Sequence, residues 1–311
     1  MKVFVTGGAG FIGSHVVDAL IEDGNSVTVF DNLSKGHLEF VNKKASFVKG
    51  DLNDFDKLVS SIKGHDAVIH MAAEILIQDS LDNPKQFLTR NIESTINLLE
   101  AMRKENIKNV VFSSSAAVYG ETGDKPVKED SPKSPLQPYG ASKVAGEAIM
   151  AAYCNSFGMN STCLRYFNVY GPRDEVLPVT RAVPNWIKST LQGKPLTLFW
   201  GGKQVKDYIF VKDVANAHLV ALKNCKGVQV YNIGSGDGKP MIDILNAVVT
   251  VSGKNPKVVD LGERKGDPQR LVADTSKIKK TLGWTPKYTL LEGIKITYDY
   301  YKNTFPSKSE K

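Results

Sequence analysis

Residues 1–13 read MKVFVTGGAGFIG, and the fold follows from how that stretch changes character along its length. Val3, Phe4 and Val5 form the β-branched and aromatic run of a buried parallel strand, which stops at Thr6 where the glycines begin. From Ile12 onward Val16, Leu20 and Ile21 recur at helical spacing, with Ser14, His15, Asp18 and Glu22 on the other face. The glycines therefore lie between a strand and a helix N-terminus, where unpaired backbone N–H groups and the positive end of the dipole hold a pyrophosphate. Gly8, Gly10 and Gly13 satisfy G-x-G-x-x-G, and Gly7, Gly10 and Gly13 give a tighter G-x-x-G-x-x-G. Side chains at these positions block the phosphate or hold the helix off the strand. A second strand, residues 26–30, runs into Asp31, 18 residues after Gly13. Its carboxylate accepts hydrogen bonds from an adenosine ribose and repels a 2′-phosphate, so NAD is expected rather than NADP.

The 311 residues exceed what one compact core usually carries, so one large domain with a smaller appendage is expected. Hydrophobic residues at 41% and charged residues at 23% describe a globular protein in water. With no apolar run long enough to span a bilayer and no leader-like start, no membrane association and a cytoplasmic location are expected. Cys154, Cys163 and Cys225 are odd in number and lack C-x-x-C spacing, which supports neither a disulfide framework nor a zinc cluster. His15, His37, His65, His70 and His218 show no paired spacing, so no metal site is expected and structural roles are the default. The formal charge of +7 is spread along the chain without interleaved aromatics, which argues against nucleic acid and is met equally well by anionic small molecules.

Along the chain, strand and helix alternate. Residues 45–48 read as a third strand ending at Gly50-Asp51-Leu52, with Asp51 placed to meet an adenine edge. Residues 54–62 read as a helix, and 67–70 as a strand closing on the small side chains of Met71-Ala72-Ala73. A long helix over 84–106 is expected to carry Phe87, Leu88, Ile92, Ile96, Leu99 and Met102 on one stripe, before a strand at 110–112. This pattern predicts an α/β fold, a doubly wound parallel Rossmann sheet with a smaller, interleaved C-terminal substrate lobe. The sheet domain is assigned to residues 1–167, with later returns near 205–235, and the lobe mainly to 168–311. A strand is expected at 162–167, and beyond it helices at 183–191, 213–222, 241–252, 276–282 and 290–301, with strands at 207–211 and 228–233.

The polar cluster Ser113 to Gly120 follows a strand, where open α/β sheets bind ligands. Past a Pro-rich loop over 121–138, a helix opens at Tyr139-Gly140-Ala141-Ser142-Lys143 and runs to Phe157. Tyr139 and Lys143 are four apart and share a face. A phenol with a reference pKa of about 10 is a poor base at neutral pH, but Lys143 and an oxidised nicotinamide both favour the phenolate. Tyr139 is then able to take a proton from an alcohol while NAD takes the hydride, with Ser115 bonded to the same oxygen.

In this order Thr6 to Gly13, Asp31, Gly50-Asp51-Leu52, Ser113 to Gly120, Tyr139-x-x-x-Lys143 and Arg165 to Arg173 resemble the extended short-chain dehydrogenase/reductase family, over residues 1 to about 300. Within it the resemblance is to nucleotide-sugar 4-epimerases. It implies a tightly bound NAD: Gly7, Gly10, Phe11, Ile12 and Gly13 at the pyrophosphate, and Asp31, Asn32, Leu33, Ser34, Lys35 and Gly36 on the adenosine. Asp51 and Leu52 fall at adenine. Met71, Ala72, Ala73, Glu74, Ile75, Asn91, Ser113 and Phe167 fall nearer the nicotinamide, with Tyr139 and Lys143. Asn168, Arg264 and Asp267 fall where the family holds the UDP part of the substrate, and Lys206 stands where an Arg is usual. The implied reaction is NAD-dependent epimerisation at C4 of a UDP-hexose, UDP-glucose or UDP-galactose, through a transient 4-keto sugar, with Ser115, Tyr139 and Lys143 catalytic. Ala116-Ala117 replaces the acidic pair of 4,6-dehydratases and the Glu of decarboxylases. Leu271, of intermediate size, leaves glucose versus N-acetylglucosamine open; UDP versus dTDP is open as well, with another nucleotide-sugar epimerase/dehydratase as the wider alternative. A non-catalytic NAD-binding protein is the reading from another class, although it usually lacks the Tyr or Lys. A homodimer through helices 84–106 and 139–157 of two copies is also implied, with Ala141, Ala145, Ala148 and Ala152 as a small-residue stripe.

Overall fold

The computed structural model describes residues 1–174, 181–263 and 268–304. The opening run forms β1 (Lys2–Thr6), whose alternate side chains feed two cores because successive residues of a strand point to opposite faces. Val3 and Val5 pack in one apolar cluster, and Phe4 packs in another. All three are fully buried, as expected of a parallel strand covered on both sides. The chain continues through α1 (Phe11–Glu22), β2 (Ser26–Asp31), β3 (Ser46–Lys49), α2 (Phe55–Ile62) and β4 (Ala67–His70), then α3 (Ile77–Asp82), α4 (Pro84–Lys104), β5 (Asn109–Ser115), α5 (Pro138–Phe157) and β6 (Asn160–Tyr166). Beyond these lie β7 (Asn168–Tyr170), α6 (Ala182–Leu191), β8 (Leu196–Leu198), β9 (Val205–Phe210), α7 (Val211–Lys223) and β10 (Val228–Ile233). The last elements are β11 (Gly238–Pro240), α8 (Met241–Ser252), β12 (Val258–Asp260), β13 (Arg270–Leu271), α9 (Ser276–Leu282) and α10 (Leu290–Thr304).

Seven parallel strands form the main sheet in the order β10-β6-β5-β4-β1-β2-β3. The order reverses between β1 and β4, and an open α/β sheet binds its ligand beyond the carboxyl ends of the strands at that point. β10 reaches this sheet from the second half of the chain. β9 does not: it lies in a smaller sheet between β11 and β13 and also pairs with β7. Trp186, Tyr170, Phe210, Ile294 and Tyr301 build a separate core beneath that smaller sheet.

One expectation is overturned. Ile96 is 37% exposed, so α4 does not bury a single stripe of the large apolar residues. Its buried face includes Asn91, Thr95, Leu98 and Ala101 alongside Phe87, Leu99 and Met102, because two polar side chains on that face are used to tie loops of the site. α3, β7, β8 and β11–β13 were not expected from the sequence.

Candidate active site

α1 begins at the glycines with no side chain capping it, which leaves its first-turn amides for a ligand. Gly7 has φ +72° and a Cβ there would lie 2.6 Å from the amide nitrogen of Ala72. A Cβ on Gly13 would strike the Gly7 carbonyl. The loop is therefore closed to side chains from both ends and pressed against the end of β4. Asp31, 8% exposed, accepts from the Ala9 amide at 3.0 Å and the Leu33 amide at 2.9 Å. Burial raises its pKa against those two bonds. An ionised carboxylate has about four acceptor positions, so lone pairs remain for ribose hydroxyls. Asn32 donates to Asp51 at 2.9 Å, which fixes the two adenosine-side loops to each other. These features fit a dinucleotide: an uncapped helix end, a cradle that a Cβ would fill, and an acid at the end of β2.

At the other end of the crevice, α5 starts with Pro138 at its first position, where the missing N–H costs nothing. Gly140 follows because a Cβ would collide with the Ala117 carbonyl. The first turn of α5 thus lies against Ser115–Ala117, and Ser115 hydrogen-bonds the Tyr139 phenol. The Tyr139 ring meets Phe87 edge-on, with centroids 6.3 Å apart. Lys143 is buried, donates to the Ser113 carbonyl at 2.8 Å and has its ammonium 5.9 Å from the Tyr139 ring centroid. Burial lowers its pKa to about 8, against an opposing pull from Glu147.

The electrostatics differ from the sequence expectation in one respect. Burial raises the Tyr139 pKa, while the Ser115 hydrogen bond and the charge of Arg181 pull it down. Arg181, a residue the sequence reading passed over, is therefore a second cation acting on the phenol, beside Lys143, whose ammonium is 5.9 Å from the ring centroid and also donates to a main-chain carbonyl. Without an oxidised nicotinamide the phenol stays protonated at neutral pH.

The loop after β4 is held by polar groups. Thr6 Oγ1 receives the Met71 and Ala72 amides at 3.2 and 3.3 Å and pairs with His70 Nδ1 at 2.8 Å. His70 Nε2 reaches Thr95 at 3.2 Å, and burial holds the ring neutral, with a pKa of about 3. Asn91 clasps residue 74 by accepting from the Glu74 amide at 2.8 Å and donating to its carbonyl at 3.0 Å. It also reaches Ser142 on α5 at 3.2 Å.

One cavity of about 1780 Å³ joins these parts. Of the described candidate residues all but Leu33 line it, so the glycine loop, Asp31, Asp51, residues 71–75, Asn91, Ser113, Ser115, Tyr139, Lys143, Phe167, Asn168 and Lys206 face one space. Arg264 and Asp267 lie outside the described residues. Asn168 donates to the Asp207 carbonyl at 3.1 Å and Lys206 to the Pro268 carbonyl at 2.5 Å. Tyr166, Asp174 and Arg181 also line the cavity. No spacing motif announces them; Tyr166, for one, meets His218 from a distant part of the chain at 2.6 Å. No cluster of His, Cys, Asp or Glu suited to a metal occurs among the described residues, and no helix among them is long and apolar enough to cross a membrane.

The sequence model described as the NAD dependent epimerase/dehydratase family matches residues 3–234. A UDP-glucose 4-epimerase of Lactobacillus helveticus is 38% identical, covering 100% of this chain and 99% of the relative. The crystal structure of Thermus thermophilus UDP-glucose 4-epimerase in complex with NAD superposes with a TM-score of 0.91 at 37% identity, covering 97% and 99% of the two chains. That of Thermotoga maritima UDP-glucose 4-epimerase with UDP-glucose gives 0.92 at 36% identity, covering 98% and 99%.

Proposed function

The chain belongs to the NAD dependent epimerase/dehydratase family, and from that premise we propose that it interconverts UDP-glucose and UDP-galactose by epimerisation at C4, using a tightly bound NAD. The observation that carries this reading is the convergence of Ser115, Tyr139 and Lys143 on the same cavity as an uncapped, side-chain-free glycine loop. Bound NAD supplies a reversible hydride acceptor, so the sugar is oxidised and reduced with no net redox change. Gly7, Gly10, Phe11, Ile12 and Gly13 hold its pyrophosphate. Asp31 to Gly36 hold the adenosine with Asp51 and Leu52, and residues 71–75, Asn91, Ser113 and Phe167 shape the nicotinamide end.

Tyr139 takes the proton from the O4 hydroxyl as the C4 hydrogen leaves, and returns it when the opposite face is reduced. Ser115 donates to the same oxygen and holds it in reach of the phenol. Lys143, anchored on the Ser113 carbonyl, adds positive charge beside the ring. Asn168 and Lys206, with Arg264 and Asp267, retain the UDP while the flat 4-keto sugar turns over between the two half-reactions. This division of labour requires firm binding of the nucleotide and loose binding of the sugar. Supplied with UDP-galactose and no added NAD, the purified protein is expected to form UDP-glucose, read by chromatography of the sugar nucleotides. Absence of product with NAD bound would favour the non-catalytic alternative. Conversion confined to the N-acetylhexosamine derivatives would move the assignment to those substrates, with Leu271 at the cavity wall setting the choice.

The proposal includes a cytoplasmic homodimer joined through α4 and α5 of each copy. The exposed Ile96 on α4 and the outward Ala148 and Ala152 on α5 support it, since this face is not covered within the chain. Light scattering should give about twice the 34.1 kDa of the chain. A monomer at micromolar concentration would overturn the interface.

A further inference from the structure

Asp174 and Arg181 form an ion pair on the cavity wall to which the mechanism above gives no part in holding a ligand. Asp174 Oδ1 lies 3.1 Å from Arg181 Nη1, with the two side chains 2% and 34% exposed. The second carboxylate oxygen, Oδ2, is buried and has no hydrogen-bond partner among the described residues. The guanidinium carbon of Arg181 stands 5.4 Å from the ring centroid of Phe11, the first residue of α1. It is thus beside the free amides where a diphosphate is expected to lie. A buried pair is stable only if the remaining lone pairs are also satisfied, and one oxygen of Asp174 is not. Other charged groups packed around it do not fill that role. Lys188 on α6 acts on the carboxylate from a position over the Tyr301 ring, and Tyr301 on α10 donates to the Asp174 main-chain carbonyl. On α1, His15 is bonded to the Pro172 carbonyl and kept neutral, and Asp18 holds Arg173 at 2.8 Å.

We propose that Arg181 is a diphosphate clamp latched by Asp174: an incoming diphosphate draws the guanidinium off the carboxylate, and Asp174 takes up a proton from solvent in its place. The inference rests on the nucleotide-sugar reading for one of its two ligands, since the pyrophosphate of the dinucleotide has the same chemistry. Burial already raises the Asp174 pKa to about 6 with Arg181 beside it. Removing the cation raises it further, because an uncompensated buried carboxylate neutralises. Near pH 7 the group is therefore mostly ionised in the free protein and protonated in the complex.

The test is isothermal titration calorimetry of the protein as purified with UDP, a probe that cannot react. Titrations run from pH 6 to 8 in buffers of different ionisation enthalpy. The expected result is uptake approaching one proton per UDP near pH 7, with Kd weakening by up to about tenfold per pH unit above 6. Asp174→Asn should abolish the proton uptake and leave only the linkage that the terminal phosphate of UDP, with its own pKa of about 6, brings to any site, and Arg181→Gln should weaken UDP by about tenfold or more, with Arg181→Lys partly restoring it. In a second arm, dinucleotide retention after gel filtration is compared at pH 6 and 8. Proton linkage seen in that arm alone assigns the clamp to the cofactor. UDP binding and dinucleotide retention without proton uptake in the wild type overturn the latch, as does a proton uptake that Asp174→Asn leaves unchanged. A wild-type protein that binds no UDP refutes the nucleotide-sugar reading, and the clamp is then judged on the dinucleotide arm.

Discussion

Tyr139→Phe is expected to lower kcat for UDP-galactose by about 10²–10⁴-fold, the usual contribution of a positioned acid or base, while the protein keeps its fold and its dinucleotide. The substitution removes one oxygen and leaves the ring that meets Phe87 edge-on, so packing is preserved and the loss falls on proton transfer. Ser115→Ala should cost less, about tenfold, since it removes an orienting hydrogen bond and leaves the base. The pH profile carries a second check. Burial holds the phenol protonated, so kcat rises with pH as the base is formed. Above about 8 Lys143 sheds its proton and the charge that favours phenolate is lost, so the profile falls. Lys143→Met should lower the rate and erase the falling limb. Turnover that persists in Tyr139→Phe combined with Ser115→Ala would remove both residues from the mechanism.

Glu147→Gln should destabilise the fold by about 3–5 kcal/mol, because it strips the counter-charge from a buried guanidinium. Glu147 accepts from Arg165 Nε and Nη2 and from Ser114 Oγ, each at 2.7 Å. Arg165, 1% exposed, passes the connection on through the Tyr119 hydroxyl at 2.7 Å and the Glu129 carbonyl at 2.9 Å. Tyr119 in turn donates to Asn232 on β10 at 2.6 Å. One polar network thus ties β5, β6, β10 and the loop before α5 to the helix that carries Tyr139 and Lys143. A fall in Tm of roughly 5–8 °C is the expected reading for a chain of this size. Replacing both partners by apolar side chains of matching volume should recover much of the loss, since a buried ion pair is expensive to break and cheap to exchange. Single and double variants of equal stability would show that the network does not hold the helix.

What the residues disclose before folding depends on how local the physics is. The glycine loop, Asp31 and the Tyr139 and Lys143 pair are legible because each obeys a constraint set within one turn or one strand-to-helix junction. The long strands of the main sheet are legible for the same reason. β8 and β11–β13 are too short to show a period of two, and they exist only because a partner strand from elsewhere supplies their hydrogen bonds. The buried face of α4 is not legible from apolar spacing alone, because it includes the polar Asn91 and Thr95, which loop amides and His70 satisfy inside. Arg181 and Asp174 left no trace in the spacing, and their relation is visible only once α1 and α6 are brought to one cavity.

The seventh strand has a bearing on how the protein is made. As the chain emerges during synthesis, everything up to β6 can assemble, yet the outer rim of β6 then offers a row of unpaired amides and carbonyls to any neighbour. Only after the intervening segment has been delivered does β10 arrive to seal that rim from Ser161 to Tyr166. A gene cut near residue 167 would yield sticky nascent product rather than a self-sufficient cofactor module, because the strand that seals β6 lies beyond the cut.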